Sequence, residues 1–591
     1  MAAAVEAFDV LVLGAGPAGI SAARALLKEG SKSFLVLEAR SRLGGRAHAS
    51  DSLGTQKDLD HGARWIHGVC NDNVMVRLLR ELTFDHPDDE GVEYQLCLPK
   101  DIDDDDAKLS TDPPFGISDA GDTEVNHSEL ILKVKGSPEQ RPPGKNLTMI
   151  VSSSSQDGNI TAREASPEAR RVSRTIFQEI VESVMENPLE TIHSTKASLK
   201  LDDGAFEEAS LLDLLLLLHD PSHDNNNNNL NDKGKRDRFE SICRENLVMK
   251  HPQVEETIAS LSESEQELFR EEVMALFNVE IATVVEAWEG SSLHVLSAKH
   301  GMEGTCLGGG HMILPFGYGG LVKRLAFPLV QGNHIRFQHE VISVETTTSS
   351  SDNEGSTVVV RCKVTEEGAT TIKEFHAKAV VVALPLGVLR SRSIAFEPDL
   401  PAPVVHAIQT LGITMRGKIE LAFPHCWWPT EYGRFTLACT HLQQSPTYHP
   451  YTTFIVESMS GPNILVCYVA GEFSKEIEEK SDEAIQEEIM TVLRQASLAS
   501  GDIPDPLAIH VTRWLLDPYS RGAWTHCGKG SSPADVKSFR LNEECHQRHL
   551  FFAGEHTCDG STVKGDDFGC VNGAWMSGEL AVEAALKCLP S

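Results

Sequence analysis

The sequence predicts an α/β protein organised by a doubly wound parallel sheet, and three observations predict it. An apolar strand, Phe8-Asp-Val-Leu-Val-Leu13, runs straight into Gly14-Ala-Gly16-Pro-Ala-Gly19. A helix rich in small residues follows from Ile20 to Glu29. A second apolar strand, Phe34-Leu-Val-Leu37, then ends on the acid Glu38. In such a unit Gly14 permits the turn, Gly16 lets the backbone approach a pyrophosphate, and Gly19 lets the helix pack close on the strand. The helix N-terminus offers free N–H groups to the phosphates. Glu38 lies nineteen residues beyond Gly19, where an acid meets the hydroxyls of an adenosine ribose. A glycine turn alone is weak; here both strands, the helix and the terminal acid accompany it.

At 591 residues the chain exceeds one core, which predicts two to four units of about 150 residues each. Its 86 acids against 53 bases give a net charge of −33, which argues against nucleic acid and anionic membranes and favours cationic partners. Thirteen cysteines stand singly, with no CxxC pair, so neither a metal site nor a disulfide framework is expected. Met1 to Ala7 has no basic, apolar leader, no run reaches the ~20 apolar residues of a membrane span, and Cys588-Leu-Pro-Ser591 is not a peroxisomal SKL tail. A soluble cytoplasmic protein is the expectation.

Arg42-Leu-Gly44-Gly45-Arg46 supplies a second glycine pair, with Arg46 as the guanidinium for a diphosphate. Asp60-His-Gly-Ala-Arg-Trp65-Ile-His67-Gly68 follows, then a helical pattern from Val74 to Leu82. From about Glu90 to Arg238 the pattern breaks: Asp101 to Asp106 is nearly all acid, Ser152 to Ser155 polyserine, Asn225 to Asn229 polyasparagine. Helical patches stand between these tracts at Ala165 to Met185 and Leu211 to Leu218. Order returns with helical periodicity at Ser262 to Phe277, where Ser262 and Glu265 have capping-box spacing, and at Ile281 to Trp288. The glycine-rich run Gly308 to Gly320 opens a further helix, either as a second phosphate cradle or as packing. Strands are expected at Ile335 to Val344, Val358 to Val364 and Phe375 to Leu384. In Lys418-Ile-Glu-Leu-Ala-Phe423, Ile419, Leu421 and Phe423 form one strand face, leaving Lys418, Glu420 and Ala422 on the other.

Several of these segments resemble, in order, the flavin-containing amine oxidase family, in about 350 residues over five separated blocks. The Gly44-Gly45-Arg46 extension is similar to its FAD fingerprint, and Trp65-Ile-His67-Gly68 to the segment of its polyamine oxidase branch that faces the flavin. Lys418-x-x-Leu-x-Phe before Trp427-Trp428 resembles the segment whose lysine holds a water against flavin N5. Trp514-x-x-Asp-Pro-Tyr519-x-Arg-Gly-x-Trp524 resembles the motif that carries one wall of an aromatic cage, and Phe552-Ala-Gly-Glu555 with Val571-Asn-Gly-Ala the closing pattern.

The resemblance implies FAD held by Gly14, Gly16, Gly19, Glu38, Arg46, Trp65, the backbone of Val341, Glu555 and the helix beginning near Val571. That helix aims its positive end at the isoalloxazine O2. Lys418, His67 and Trp524 are the implied catalytic residues, and His67, Trp524 and Cys570 line the substrate. Ala523 stands where the monoamine oxidase branch has its flavin-linking cysteine, so the FAD is expected to be non-covalent; Cys527 is read as a small buried or surface thiol. Two departures are Asn572 in place of a histidine and Cys570 in place of the second cage wall, beside an insertion at Lys564 to Phe568.

The implied reaction oxidises a C–N bond of spermine, spermidine or their acetylated forms by hydride transfer to flavin, with imine hydrolysis and reduction of O2 to hydrogen peroxide. Alternatives are a lysine-specific histone demethylase-like oxidase and a non-catalytic flavin-binding scaffold. Against the first stand the missing N-terminal helical module and coiled-coil arm. The implied architecture is a discontinuous FAD-binding domain (1–90, 298–400, 533–591) and an α+β substrate domain (91–297, 401–532), with the acidic and polar insertions within 100–238. The sequence leaves open the oligomeric state and the acids that bind substrate ammonium groups.

Overall fold

The computed structural model of the chain describes residues 6–55, 58–82, 94–97, 131–134, 145–153, 160–199, 209–220, 231–301, 312–314, 316–347, 357–366, 369–429, 432–439, 453–456, 463–496, 502–560 and 567–589. The acidic tract 101–106, the polyasparagine 225–229, residues 154–155 of the polyserine, 308–310 of the glycine-rich run and 564–566 of the insertion lie outside them.

Two sheets organise the described chain. The first has eight strands in the order Ile335–Arg336, Phe34–Leu37, Glu6–Leu13, Ala369–Val382, Thr357–Glu366, His339–Thr347 and Ala395–Glu397, with Leu550–Phe552 added on the end of Ala369–Val382. Glu6–Leu13 is parallel to both neighbours, and Leu550–Phe552 is parallel to Val380–Val382. His339–Thr347, Thr357–Glu366 and Ala369–Val382 are antiparallel from strand to strand.

The apolar runs are continuous because this sheet is covered on both faces. Val10, Val12, Val36, Val381 and Phe551 enter one core, which also contains Leu26, Leu321 and Trp575 from the helices Pro17–Glu29, Gly317–Gln331 and Val571–Cys588. Leu11, Leu13, Leu37, Val382 and Phe552 enter the opposite core. That second core takes Val404, Ala407 and Ile408 from the helix Ala402–Thr410 along with Val536 and Phe539, so the first sheet's packing layer continues past residue 400.

The second sheet runs Ala508–Val511, Arg416–Ala422, Ile464–Ala470, Thr453–Val456, Tyr432–Cys439, Lys145–Ser153 and Ile160–Glu164. Ile419, Leu421 and Phe423 pack in its core with the helix Asp482–Gln495 beneath. Among the described residues, the broken pattern expected over 90–238 therefore conceals four strands, since Tyr94–Cys97 also pairs with Ile131–Val134. Pairing with distant segments explains the miss: Lys145–Ser153 lies parallel to Tyr432–Cys439, a long-range ladder that local composition does not announce.

A helical layer completes the described fold, with Ile176, Phe177, Leu212, Leu216 and Phe277 in one cluster. The helix Glu263–Glu280 begins on the Ser262–Glu265 capping box and continues as a π segment, Ile281–Glu286, that leads to Glu289. Among the described residues no helix is long and apolar enough to cross a membrane.

Candidate active site

One cavity of about 390 Å³ lies where the two sheets and the helical layer meet. Its floor is the glycine turn. Gly14 has φ +99 and would set a Cβ 2.8 Å from the Ala383 carbonyl oxygen, whereas a Cβ on Gly16 would meet no atom within 4 Å. Gly16 is thus an open cradle at the N-terminus of Pro17–Glu29, a helix without a side-chain cap. Gly19 does not reach the cavity wall; its Cβ would lie 1.9 Å from the Gly14 carbonyl oxygen, so it serves the close packing of helix on turn.

Glu38 is buried at the end of its strand, accepting from the N–H of Ala15 at 2.7 Å and of Arg40 at 2.8 Å. Burial pushes its carboxyl above the ordinary value. Val341 lines the same region, and its ladder with the neighbouring strand shifts register between Val341 and Ser343. Arg46 donates Nη1 to Glu555 Oε1 at 2.9 Å and to the Ala523 carbonyl at 2.8 Å, so the guanidinium assigned to the diphosphate and the acid of the closing pattern reach the cavity as a pair. Thr525 Oγ1 donates to Glu555 as well, at 3.0 Å.

The other end of the cavity holds Trp65, His67, Lys418, Trp524, Cys570 and Val571. Cys570 is the N-cap of Val571–Cys588, again without a side-chain cap, so a second helix N-terminus opens into the same space. Asn572 donates Nδ2 to Asp567 at 2.6 Å. Cys527 is buried on the cavity wall.

Lys418 is buried, and its Nζ donates to the carbonyl oxygens of Asp60 at 2.5 Å and Gly62 at 2.8 Å. Burial pushes its ammonium below the ordinary value. The Asp60 carboxylate in turn accepts from the N–H groups of Tyr318 and Gly319 at 2.8 and 3.0 Å. The N-terminus of Gly317–Gln331 is therefore satisfied by protein, which favours packing over a second phosphate cradle for that glycine run.

The structure adds residues that sequence reading passed over. Arg416 stacks over Tyr468 at 5.0 Å and over Trp524 at 5.6 Å, and Arg64, Arg416 and Tyr468 all line the cavity. Burial raises the Tyr468 phenol, but the charges of Lys418, Arg64 and Arg416 outweigh it and hold the group below its ordinary range. Arg416 was legible in principle, since strand alternation puts it on the Lys418 face. Glu289 was not: it is one of 86 acids, in no motif, yet it lines the cavity, and burial lifts its carboxyl to about 8.

The donor set fits a flavin dinucleotide. Gly16 leaves room for a pyrophosphate, two uncapped helix N-termini face one space, and the Trp65 Nε1 is a buried donor without an acceptor among the described residues. A dinucleotide cleft that shares its cavity with a buried lysine and an aromatic wall fits an oxidoreductase that works with a bound dinucleotide. The chain belongs to the flavin containing amine oxidoreductases, whose family profile matches residues 17–586. It is 27% identical over 583 residues to polyamine oxidase 5 of Oryza sativa subsp. japonica, covering 97% of this chain and 87% of that protein. A lysine-specific histone demethylase 1 homolog 2 of the same plant is 35% identical over 195 residues, 33% of this chain and 24% of that one. A redesigned putrescine oxidase variant shares the fold with TM-score 0.57 and 15% identity, over 98% of this chain and 99% of that one.

Proposed function

We propose that this amine oxidoreductase is a polyamine oxidase that uses non-covalent FAD to oxidise a C–N bond of spermine, spermidine or an acetylated form. The observation that carries the reading is the assembly of Lys418, His67, Trp524 and Glu289 on the walls of the cavity that also receives Gly16 and Val571. Similarity to a polyamine oxidase along 97% of the chain supports it. Bound flavin would supply the two-electron chemistry, passing electrons from the amine to dioxygen with release of hydrogen peroxide.

The residues divide the remaining work. Gly14, Gly16, Glu38, Arg46, Trp65, Val341, Glu555 and Val571 hold the dinucleotide, with Gly19 shaping the turn from behind. Trp524, His67 and Cys570 enclose the reacting carbon and nitrogen. An apolar wall penalises charge, so it favours the neutral amine whose lone pair the oxidation needs. Glu289 takes a remaining ammonium. Lys418 as an ammonium has three hydrogens, two of them given to the carbonyls of Asp60 and Gly62; the third holds a water at the cavity. Ala523 next to Trp524 offers no thiol for a covalent link at that position. The same reading divides the chain into a FAD unit (1–90, 298–400, 533–591) and a substrate unit (91–297, 401–532), a partition supported by the membership of the two sheets except that the helix Ala402–Thr410 packs on the first.

The test is anaerobic reduction of the yellow holoprotein by spermine, spermidine, their acetylated forms and a methylated histone peptide. Bleaching by a polyamine, peroxide on readmitting air, and flavin released by acid precipitation are expected. Bleaching by the peptide alone would replace the proposal with a demethylase, and flavin that no amine bleaches would replace it with a binding protein.

A further inference from the structure

Beneath Lys418 lies a hydrogen-bonded chain that the reaction as described does not use. Glu420 is two residues along the same strand, hence on the same face, and its side chain is 0% exposed. Its Oε2 meets His61 Nδ1 at 2.9 Å and His510 Nδ1 at 2.7 Å. Ser50 Oγ meets the other ring nitrogen of His61 at 2.8 Å. His510 is the cross-strand partner of Glu420, and the two imidazoles lie 4.2 Å apart, centre to centre.

Two histidines and a carboxylate also make a metal-ligand set, with donor atoms all within 4.8 Å of one another. The distances as they stand are those of hydrogen bonds. Zinc bonds of about 2.0–2.1 Å in a tetrahedral site separate the donors by roughly 3.3 Å. Separations of 2.7 and 2.9 Å are N–H···O hydrogen bonds. Each ring therefore donates its Nδ1 hydrogen to Glu420. Burial raises the Glu420 carboxyl, but the ring donors of His510 and His61 more than offset it, and the group sits below its ordinary value.

A buried carboxylate costs desolvation that an apolar residue would not incur, so its presence here asks for a purpose. The sequence neighbours of His61 identify one. Asp60 and Gly62, on either side of it, supply the two carbonyls that receive Lys418 Nζ. We propose that Glu420 is a positioning residue for Lys418: by fixing the His61 ring it fixes those two carbonyls and so the aim of the lysine into the cavity. The proposal rests on the reading of Lys418 as the water-holding amine of a polyamine oxidase.

Two measurements on the full-length holoprotein separate the proposal from that reading. The first is timed acylation by a small amine-reactive ester, read at Lys418 by peptide mass spectrometry. Wild type should protect Lys418, and Glu420→Gln should raise its labelling about ten-fold, the worth of one charge-assisted hydrogen bond, with Lys537 and Lys587 unchanged. His510→Asn, at a side chain 31% exposed, should give a smaller rise and serves if Glu420→Gln fails to fold. Unchanged labelling of Lys418, an equal rise at every lysine, or one equivalent of metal in wild type that Glu420→Gln loses would each overturn the proposal. The second is reoxidation of the reduced flavin by dioxygen. Glu420→Gln should slow it in wild type and add nothing on top of Lys418→Met; additive losses would overturn positioning. A wild-type rate in Lys418→Met alone would instead sink the reading of Lys418, leaving the acylation result to judge Glu420.

Discussion

Lys418, buried, and Glu289, half-buried on the cavity wall, are ionisable groups pushed in opposite directions along the pH scale, one cation made easier to neutralise and one acid made harder to ionise. Replacing Lys418 with Met keeps an unbranched side chain, one atom shorter, and removes the donor, so dioxygen should reoxidise the reduced protein about 100-fold more slowly while anaerobic reduction by substrate changes little. Stopped-flow absorbance resolves the two half-reactions. For Glu289 the folded carboxyl keeps its proton to about pH 8 against an ordinary value of 4.5, so the folded state binds the extra proton in that window. Its contribution to stability therefore falls as pH rises from about 4.5 to 8. An ammonium ligand favours the ionised acid. Binding of an unreactive diamine, followed by flavin difference spectra, should tighten as pH rises through about 8, and Glu289→Gln should remove that slope.

At the level of elements, the glycine turn separates folding from cofactor binding. Gly16→Val places its side chain in open space over the cleft, so the chain should fold with a near-normal melting midpoint yet purify with little flavin, read from the ratio of visible to 280 nm absorbance. Gly19→Ala drives a Cβ to 1.9 Å from a backbone carbonyl and should cost about 1–3 kcal/mol of stability or more, with loss of flavin following from loss of fold. These positions were legible because a strand, a turn and a helix contiguous in sequence fix their geometry. Strand alternation likewise predicted the Lys418 face. Glu289 was hidden because it arrives through a π segment and belongs to no periodic pattern. The His61–Glu420–His510 cluster was hidden because its members come from three elements, and nothing in Asp60-His-Gly or His510-Val-Thr names the other two. Lys145–Ser153 was hidden by its polyserine end and by a partner strand almost three hundred residues away.

For the molecule as a whole, the net charge of −33 is a long-range attraction for polycations. Peroxide-release rates at low substrate should fall several-fold for spermine between about 50 and 500 mM salt as the Debye length shrinks, and fall less for a singly charged amine. An equal, shallow dependence for both would show that the surplus acid merely keeps the chain in solution.

The strand Ala369–Val382 has a consequence for how the protein is made. Near its C-terminal end it is flanked on one side by Glu6–Leu13 and on the other by Leu550–Phe552, segments drawn from distant parts of the chain. During translation the first partner is available early, but the second emerges only after the entire opposing sheet has been synthesised. Until then Val380, Val381 and Val382 present an apolar, unpaired backbone edge, the kind of template on which nascent chains stick to one another. A ribosome-bound chain stalled before residue 550 should therefore recruit chaperones strongly, and release of that grip should coincide with appearance of Leu550–Phe552 rather than with completion of the glycine turn that holds the nucleotide.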